Sequence, residues 1–472
     1  MAPSSRRHGI RALEAQRLVD QLALRLAPSL AAGLIAFSHM RELGPAVIVF
    51  VSVLVAAQLI ERSQLPLQLM PASRVGLAIV APIAGTLAAW LIASAAGQPY
   101  SLAQYEAVAL GSLLVLALGA WLRATFAESL RARVAVIGSR EFAADFAAEL
   151  EGAGIRIYDV VGWVGAGGPD RYRELRWLGD LEQVRRAVVE QHVELLVCAP
   201  SPSDLGGDTD EDVCAKVAET CLDLPVRLIA ANQLYEEALG HVPVGTIDAA
   251  WYRYIMHPRF RASAPLSKRI FDIFFATLIG VVLLPVTLAA AIAIKLTDRG
   301  PVIYRQRRLG EYGESFEILK LRTMRVDAEA DGPQWSEPGD GRITRIGALL
   351  RRTHIDEMPQ LLNVLRGEMT MVGPRPERPE MVAELERRFP HYTRRHLVKP
   401  GIAGWAALRC GYAGSEIGTA WKLCHDLFYI KRRSVLADAL ILTETSVEVF
   451  RNAHRVLRAP GERFLLGEES NG

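Results

Sequence analysis

The sequence predicts a membrane protein of three parts: an α-helical transmembrane bundle, a Rossmann-like α/β domain, and a mainly helical α/β domain carried on a re-entrant membrane helix. Long apolar runs fill the first quarter of the chain, short β-branched runs alternate with helical segments in the middle, and a fifth apolar run precedes an arginine-rich last part. Half of the 472 residues are hydrophobic, and the 22% that are charged are sparse before Ala120 and dense after Ser267. Such a split is typical of a membrane part joined to a soluble part.

Residues 1–125 are predicted to form four transmembrane helices. The apolar runs are roughly Leu22–Met40, Leu43–Ile60, Val75–Ala96 and Tyr105–Leu122, each close to the ~20 residues that cross ~30 Å of hydrocarbon. Basic residues lie in the N-terminal tail, in the second loop and after the fourth run, whereas the third loop is uncharged. Four crossings with both ends in the cytoplasm satisfy the positive-inside bias. The alternative is a set of buried helices in a large soluble protein.

Residues 131–240 are predicted to form a cytoplasmic, doubly wound, Rossmann-like domain. Buried strands such as Val134–Ile137 and Val193–Ala199 alternate with helical segments. A dinucleotide fingerprint needs three glycines, but the turn after the first strand keeps only Gly138. We therefore favour a structural or regulatory domain without tight NAD or flavin binding; a phosphate contact by Arg140 is the alternative.

Residues 241–266 form a connector whose aromatic and basic residues suit a membrane–water interface, or equally a packed linker. The fifth apolar run, Ile270–Ile294, has basic residues on both flanks and Pro285 near its centre. A spanning helix would place one basic flank outside, and an internal proline kinks a helix. A re-entrant helix that bends at Pro285 and returns to the same face satisfies both observations. A fifth crossing is the alternative.

The last part, residues 267–454, carries the residues that point to phosphate chemistry, and a tail follows over 455–472. Many arginines come after Gly300, and converging guanidinium groups match the oxygens of a pyrophosphate donor. Asp356 and Glu357 are adjacent, so on a helix their side chains point about 100° apart and cannot act as one facing dyad. One carboxylate can attack phosphorus while the other holds a divalent metal, usually magnesium. Alone, the pair is more typical of a helix start.

Four motifs stand in order in this part of the chain. They are Phe316–Met324, Leu350–Leu361, Val372–Pro376 and Lys399–Trp405. They resemble the F-x-x-x-K-F-R-T-M, L-R-x-T-x-x-D-E-x-P-Q-L, V-G-P-R-P and K-P-G-I-T-G-W elements of the bacterial sugar transferases, the monotopic polyprenyl-phosphate phosphoglycosyl transferases. The resemblance covers about 268 to 450. With its N-terminal helices and Rossmann-like domain, the chain resembles the large members of exopolysaccharide or O-antigen synthesis, and most of all the exopolysaccharide subgroup.

The resemblance implies a phosphoglycosyl transferase domain on a re-entrant helix, at the cytoplasmic face of the bacterial inner membrane. It implies ping-pong transfer of a hexose 1-phosphate from a UDP-sugar to polyprenyl (undecaprenyl) phosphate, with release of UMP. In that mechanism Asp356 is the nucleophile that carries the phosphosugar, and Glu357 is the magnesium ligand. The positions that match the family's motif residues for substrate and phosphate binding are Lys320, Arg322, Arg351, Gln360 and Arg375.

Two residues depart from the family pattern. Leu284 stands where a serine often precedes the proline, so no hydroxyl is available at the break. After Trp405 the family often has Ala-Gln, whereas this chain has Ala406 and Ala407. The side-chain amide that could contact the donor at that position is therefore missing.

Two other functions stay open at this point: a membrane nucleotide-sugar dehydratase or epimerase, and a non-catalytic scaffold of a polysaccharide assembly complex. The glycines missing after Gly138 argue against the first, and the intact Asp356–Glu357 pair argues against the second. A net charge of +2 argues against nucleic acid as the main partner, and the five cysteines lack metal-ligand spacing. The middle domain can support a homodimer.

Overall fold

A computed structural model describes residues 131–165, 167, 171–172, 175–199, 210–244, 247, 251–252, 265–297, 300–326, 328, 340–389, 391–410 and 416–451, with isolated helical positions at 34, 47, 90, 91 and 94. The four transmembrane helices predicted for 1–125 lie, apart from those isolated positions, outside the described residues, as do most of the connector and the whole tail. The chain divides into two compact units, 1–246 with 460–464 and 247–459 with 465–472.

Within the described part of the first unit, six strands form one sheet in the order β3-β4-β2-β1-β5-β6. All neighbouring strands are parallel except β3 and β4. The strands are β1 (Ala132–Ile137), β2 (Tyr158–Val164), β3 (Arg171–Tyr172), β4 (Leu175–Trp177), β5 (Leu195–Cys198) and β6 (Arg227–Ala230). The helices are α1 (Arg140–Gly152), α2 (Val184–Glu190), α3 (Asp210–Cys221) and α4 (Ala231–Leu234). The parallel sheet predicted for this part is confirmed, and its order is that of a doubly wound fold.

Packing explains the single glycine at the end of β1. Gly138 has a φ of +146°, and an added Cβ would lie 2.8 Å from the Cβ of Ala199. The next residue, Ser139, caps α1 by accepting a hydrogen bond from the Phe142 amide at 3.2 Å. The turn is therefore shaped by the close approach of the strand ends and by a helix cap.

A buried neutral pair lies near the end of the first unit. His241 Nε2 and Glu149 Oε1 are 2.7 Å apart. Burial raises the pKa of Glu149 to about 8 and lowers the pKa of His241 to about 3. Because both groups are neutral at pH 7, the contact is a hydrogen bond between them and not a salt bridge.

The second unit begins with α5 (Pro265–Thr297), a 33-residue helix that contains Pro285. Among the described residues it is the one helix long and apolar enough to cross a membrane, with a mean hydropathy of 2.5 and 6% of its apolar window buried. The helix predicted over 270–294 is confirmed and extends further at both ends. Its re-entrant bend stays a prediction.

Most of the remaining elements of the second unit are helical. They are β7 (Ile303–Leu309), β8 (Ser315–Leu321), α6 (Arg345–Thr353), α7 (Gln360–Arg366), β9 (Thr370–Val372), α8 (Pro379–Arg388), β10 (Gly401–Ala403), α9 (Trp405–Cys410), α10 (Glu416–Arg432) and α11 (Val435–Arg451). β7 and β8 form an antiparallel hairpin, whereas β9 and β10 pair in parallel.

A carboxylate near the start of the apolar helix α5 fixes it to the strand β9. Asp272 is 4% exposed and accepts hydrogen bonds from Thr370 Oγ1 at 2.8 Å and from the Met371 amide at 3.0 Å. Lys268, one turn earlier, contacts Asp438 of α11. Buried charges with such partners are stabilised, so this end of α5 is tied to the unit by polar contacts.

Glycines let two of the motifs approach backbone to backbone. A Cβ at Gly401 would lie 2.0 Å from the Gly373 nitrogen, and one at Gly404 would lie 2.5 Å from the Gly373 oxygen. These glycines belong to the segments 372–376 and 399–405, which β9 and β10 join. Their identity is therefore a packing requirement of the loop that carries Arg375.

Replacing Gly401 by Ala is expected to lower the free energy of unfolding by about 1–3 kcal/mol or more, because the added methyl overlaps rigid backbone. Thermal unfolding of the purified chain, followed by tryptophan fluorescence, measures the change. Gly341→Ala is the matched control, since nothing lies within 4 Å of the added Cβ there. Equal midpoints for the two variants would contradict the packing argument.

Candidate active site

The two adjacent carboxylates lie in a tight turn between helices. α6 ends at Thr353, His354 takes a left-handed conformation with a φ of +56°, and a 3₁₀ turn follows over Ile355–Glu357. Asp356 is 8% exposed and Glu357 is 6% exposed. Two carboxylates this buried need compensating partners, and the two side chains meet different ones.

Two cations from distant motifs hold Glu357. Its Oε1 atom accepts hydrogen bonds from Lys320 Nζ at 2.9 Å and from Arg375 Nη2 at 2.7 Å. Burial alone would raise the pKa of Glu357, but the charges of Arg375 and Lys320 outweigh it and hold that pKa well below its usual range. Glu357 is therefore ionised, and the structure brings together residues of three predicted motifs.

Asp356 has a different environment. Within the described part of the chain no donor makes a hydrogen bond to its carboxylate. Burial, and then the charge of Glu357, raises the pKa of Asp356 to about 6. The charges that oppose this rise are those of Lys320, Arg351 and Arg375. At neutral pH Asp356 is thus largely ionised, with lone pairs that are not held by neighbouring donors, which is what an attacking oxygen requires.

Asn363 positions the strand that carries Lys320. Its Oδ1 accepts a hydrogen bond from the Leu319 backbone amide at 3.1 Å, and its Nδ2 donates one to the Glu317 backbone oxygen at 2.7 Å. Asn363 is fully buried on α7, one turn beyond the turn that carries the carboxylates. The helix after the pair and the strand β8 are therefore fixed to each other next to the Lys320–Glu357 contact.

Arg395 positions the loop that carries Arg375. Its Nη2 donates to the Arg375 backbone oxygen at 3.1 Å and to Asp426 Oδ2 at 2.7 Å. Arg395 is 4% exposed and Asp426 is 2% exposed. Sequence reasoning missed both residues as well as Asn363; the signal available for Asp426 was a single carboxylate within an apolar stretch of a helix.

The other predicted site residues have different surroundings. Arg351 Nε donates to Thr323 Oγ1 at 2.9 Å, and its charge acts on Asp356. Gln360 is 2% exposed, and its Nε2 atom has no hydrogen-bond partner among the described residues. Arg322 lies against Gly300 after the end of α5, since a Cβ there would fall 2.0 Å from its Nη1. The described hydrogen bonds to Glu357 come from Lys320 and Arg375 and not from Arg322.

Glu357 fits the part of a magnesium ligand. The described residues contain no group of three or more side chains suited to hold a metal ion by themselves. Magnesium in phosphate sites commonly uses one or two carboxylates together with substrate phosphates. Both described hydrogen bonds to Glu357 fall on Oε1. Neither of these two bonds uses Glu357 Oε2, so that oxygen is available to a cation. A single carboxylate oxygen is what a magnesium ion bound mainly by substrate phosphates needs from the protein.

Comparison with known proteins gives one family match. The family model described as bacterial sugar transferase matches residues 263–452, which contain the carboxylate pair together with Lys320 and Arg375.

Three relatives with assigned activities match between 38% and 70% of this chain. The UDP-N-acetylgalactosamine-undecaprenyl-phosphate N-acetylgalactosaminephosphotransferase of Aeromonas hydrophila is 43% identical over 178 residues, 38% of this chain and 42% of that protein. The UDP-glucose:undecaprenyl-phosphate glucose-1-phosphate transferase of Caulobacter vibrioides is 40% identical over 240 residues, 49% of this chain and 89% of that protein. The undecaprenyl-phosphate glucose phosphotransferase of Komagataeibacter xylinus is 33% identical over 340 residues, which are 70% of this chain and 61% of that protein. The chain thus spans less than two thirds of the first and third relatives.

Proposed function

Because this chain belongs to the bacterial sugar transferase family, we propose that it transfers a hexose 1-phosphate from a UDP-sugar to undecaprenyl phosphate and releases UMP. This would be the first membrane step of exopolysaccharide or O-antigen synthesis. The observation that carries the proposal is the buried Asp356–Glu357 pair, in which Lys320 and Arg375 hold one carboxylate and leave the other to react. Such an arrangement separates a nucleophile from an anchoring group.

The proposed reaction has two steps. An oxygen of Asp356 attacks the sugar-bearing phosphorus of the UDP-sugar, the bond from that phosphorus to the bridging oxygen breaks, and UMP leaves with the bonding electrons. An oxygen of undecaprenyl phosphate then attacks the same phosphorus, and the bond to Asp356 breaks to restore the carboxylate. Lys320 and Arg375 stabilise the phosphate charge. Magnesium, when bound at Glu357, supplies further neutralisation of the donor phosphates.

Assays with purified protein and a panel of UDP-sugars test this function. UMP release and a radiolabelled lipid-linked sugar are expected with at least one UDP-hexose in the presence of undecaprenyl phosphate. The competing activity, a nucleotide-sugar dehydratase or epimerase, would instead alter the sugar without releasing UMP. A chain that releases UMP from no donor at any magnesium concentration would defeat the proposal.

The donor step is expected to require the ionised form of Asp356, and that fraction grows as the pH rises through about 6. Acceptor-free UMP release, measured in single turnover, should therefore rise about tenfold per pH unit below the pKa and level off above it. A stopped-flow series from about pH 5 to 8 measures the profile. A rate that stays flat through this range would contradict the assignment.

The contacts of α5 support a re-entrant helix. Near its start, Arg269 donates to the backbone oxygen of Val364, and near its end Ile294 packs with Leu321 and Leu350. These partners all belong to the second unit. A straight helix of this length would extend about 50 Å, beyond the ~30 Å of a hydrocarbon core, and would separate its ends across the membrane. Both ends contact the same unit, which favours entry and return at one face of the membrane.

Cysteines introduced at Ser267 and Thr297, both exposed, are expected to resist a membrane-impermeant thiol reagent added to intact cells. Both should react once the cells are permeabilised, which is the control for accessibility. Labelling of Thr297→Cys alone in intact cells would mean a spanning helix and would overturn the proposed placement.

A further inference from the structure

Lys422 is a half-buried lysine that lies outside all four sequence motifs. It lies on α10 four residues before Asp426, so the two side chains share a face of the helix. Asp426 pairs with Arg395 at 2.7 Å, and the same Arg395 nitrogen donates to the Arg375 backbone oxygen at 3.1 Å. Lys422 is thereby placed next to the loop that supplies a cation to the carboxylate pair.

Two carboxylates and two guanidinium groups surround this lysine. The charges that act on it most strongly are those of Glu377, Arg375, Arg395 and Asp426. Both of these carboxylates are already engaged by Arg395, Asp426 at 2.7 Å and Glu377 at 3.3 Å. Within the described ranges, the Lys422 ammonium has no hydrogen bond or ion pair of its own. A partly buried ammonium without a direct partner is unfavourable unless an anion binds there.

We propose that Lys422 binds the phosphate of the leaving nucleotide, next to Arg375 and away from the carboxylate pair. The inference rests on the proposed function and adds a second phosphate contact to it. The strongest charges on Glu357 are those of Arg375 and Lys320. Of these two, Arg375 also acts strongly on Lys422, whereas Lys320 is not among the strongest charges there. A pyrophosphate donor has two adjacent phosphates. With its sugar-bearing phosphate at Asp356, its other phosphate extends past Arg375 towards Lys422.

This placement gives Lys422 a defined part in the donor step. When the bond between the two phosphates breaks, the bridging oxygen leaves with UMP and gains negative charge. An ammonium beside that phosphate stabilises both the bound nucleotide and the developing charge. Lys422 should therefore affect the affinity for UMP and the KM for UDP-sugar without being needed for the covalent bond to Asp356.

Calorimetric titration of UMP into the purified full-length chain, together with acceptor-free UMP release, tests the proposal. Lys422→Gln is expected to weaken UMP binding and to raise the KM for UDP-sugar, each about tenfold, the loss typical of one charge-assisted hydrogen bond. Lys422→Arg keeps the charge and should stay within about threefold. Lys431→Gln, on the same helix nine residues later, is the matched control and should leave both values unchanged.

Two results would overturn the inference. Unchanged UMP affinity in Lys422→Gln would exclude a phosphate contact. A lowered thermal midpoint in both Lys422 variants, with equal losses of affinity, would assign the residue a structural part. The proposed function fails separately: a wild-type chain that releases no UMP from any UDP-sugar defeats it, whatever the variants do.

Discussion

Replacing Asp356 by Asn is expected to abolish acceptor-free release of UMP, with a loss on the order of 10³-fold or more, because an amide cannot form the covalent bond to phosphorus. The substitution changes little else, since no described residue donates a hydrogen bond to this carboxylate. Glu357 keeps its bonds to Lys320 and Arg375, so the surrounding charges stay in place. The fold and UMP affinity should therefore survive while chemistry is lost.

Mass spectrometry of the wild-type chain gives the complementary result. Incubation with the UDP-sugar alone should add the mass of one hexose phosphate to the peptide that contains Asp356, and the variant should carry no adduct. Glu380→Gln, an exposed carboxylate on α8, is the control and should behave as wild type. UMP that appears only when undecaprenyl phosphate is added, with no adduct, would replace ping-pong by direct transfer.

The residues of the site were predictable from sequence to the extent that the motifs name them. Lys320, Glu357 and Arg375 come from three separate motifs, and the structure joins them through one carboxylate oxygen. The parallel sheet of the first unit was likewise readable, because its strands are buried, β-branched and separated by helical segments. Local patterns therefore indicated which residues and elements to expect.

What local patterns could not predict are the long-range contacts that orient those residues. Arg322 follows Lys320 by two positions, yet β8 ends at Leu321, so strand alternation does not extend to it and its guanidinium lies against Gly300. Asp272 stands within an apolar run, and the groups that donate hydrogen bonds to it lie 98 and 99 residues away, in Thr370 and Met371. Such pairs depend on the packing of distant elements.

Replacing Glu357 by Gln is expected to slow the donor step by about 10²–10³-fold, because two effects combine. The neutral amide leaves Lys320 and Arg375 without the charge that holds them, although both remain in place to meet phosphates. It also weakens any magnesium bound at this position. A binding defect responds to mass action, so raising the magnesium concentration should partly restore UMP release, whereas it should not rescue Asp356→Asn.

The pH profile separates this charge effect from a loss of folding. The charge of Glu357 is one cause of the raised pKa of Asp356, and the cations around the pair oppose it. Removing that charge leaves the cations in place, so the pKa of Asp356 should fall and the rise of UMP release should move to lower pH. Glu357→Asp, which keeps the charge on a shorter side chain, is the control and should keep its inflection near the wild-type value. The adduct should still form slowly in Glu357→Gln, because the nucleophile is intact. An unshifted inflection, or a complete absence of adduct at high magnesium, would mean that Glu357 does not act on Asp356 through its charge.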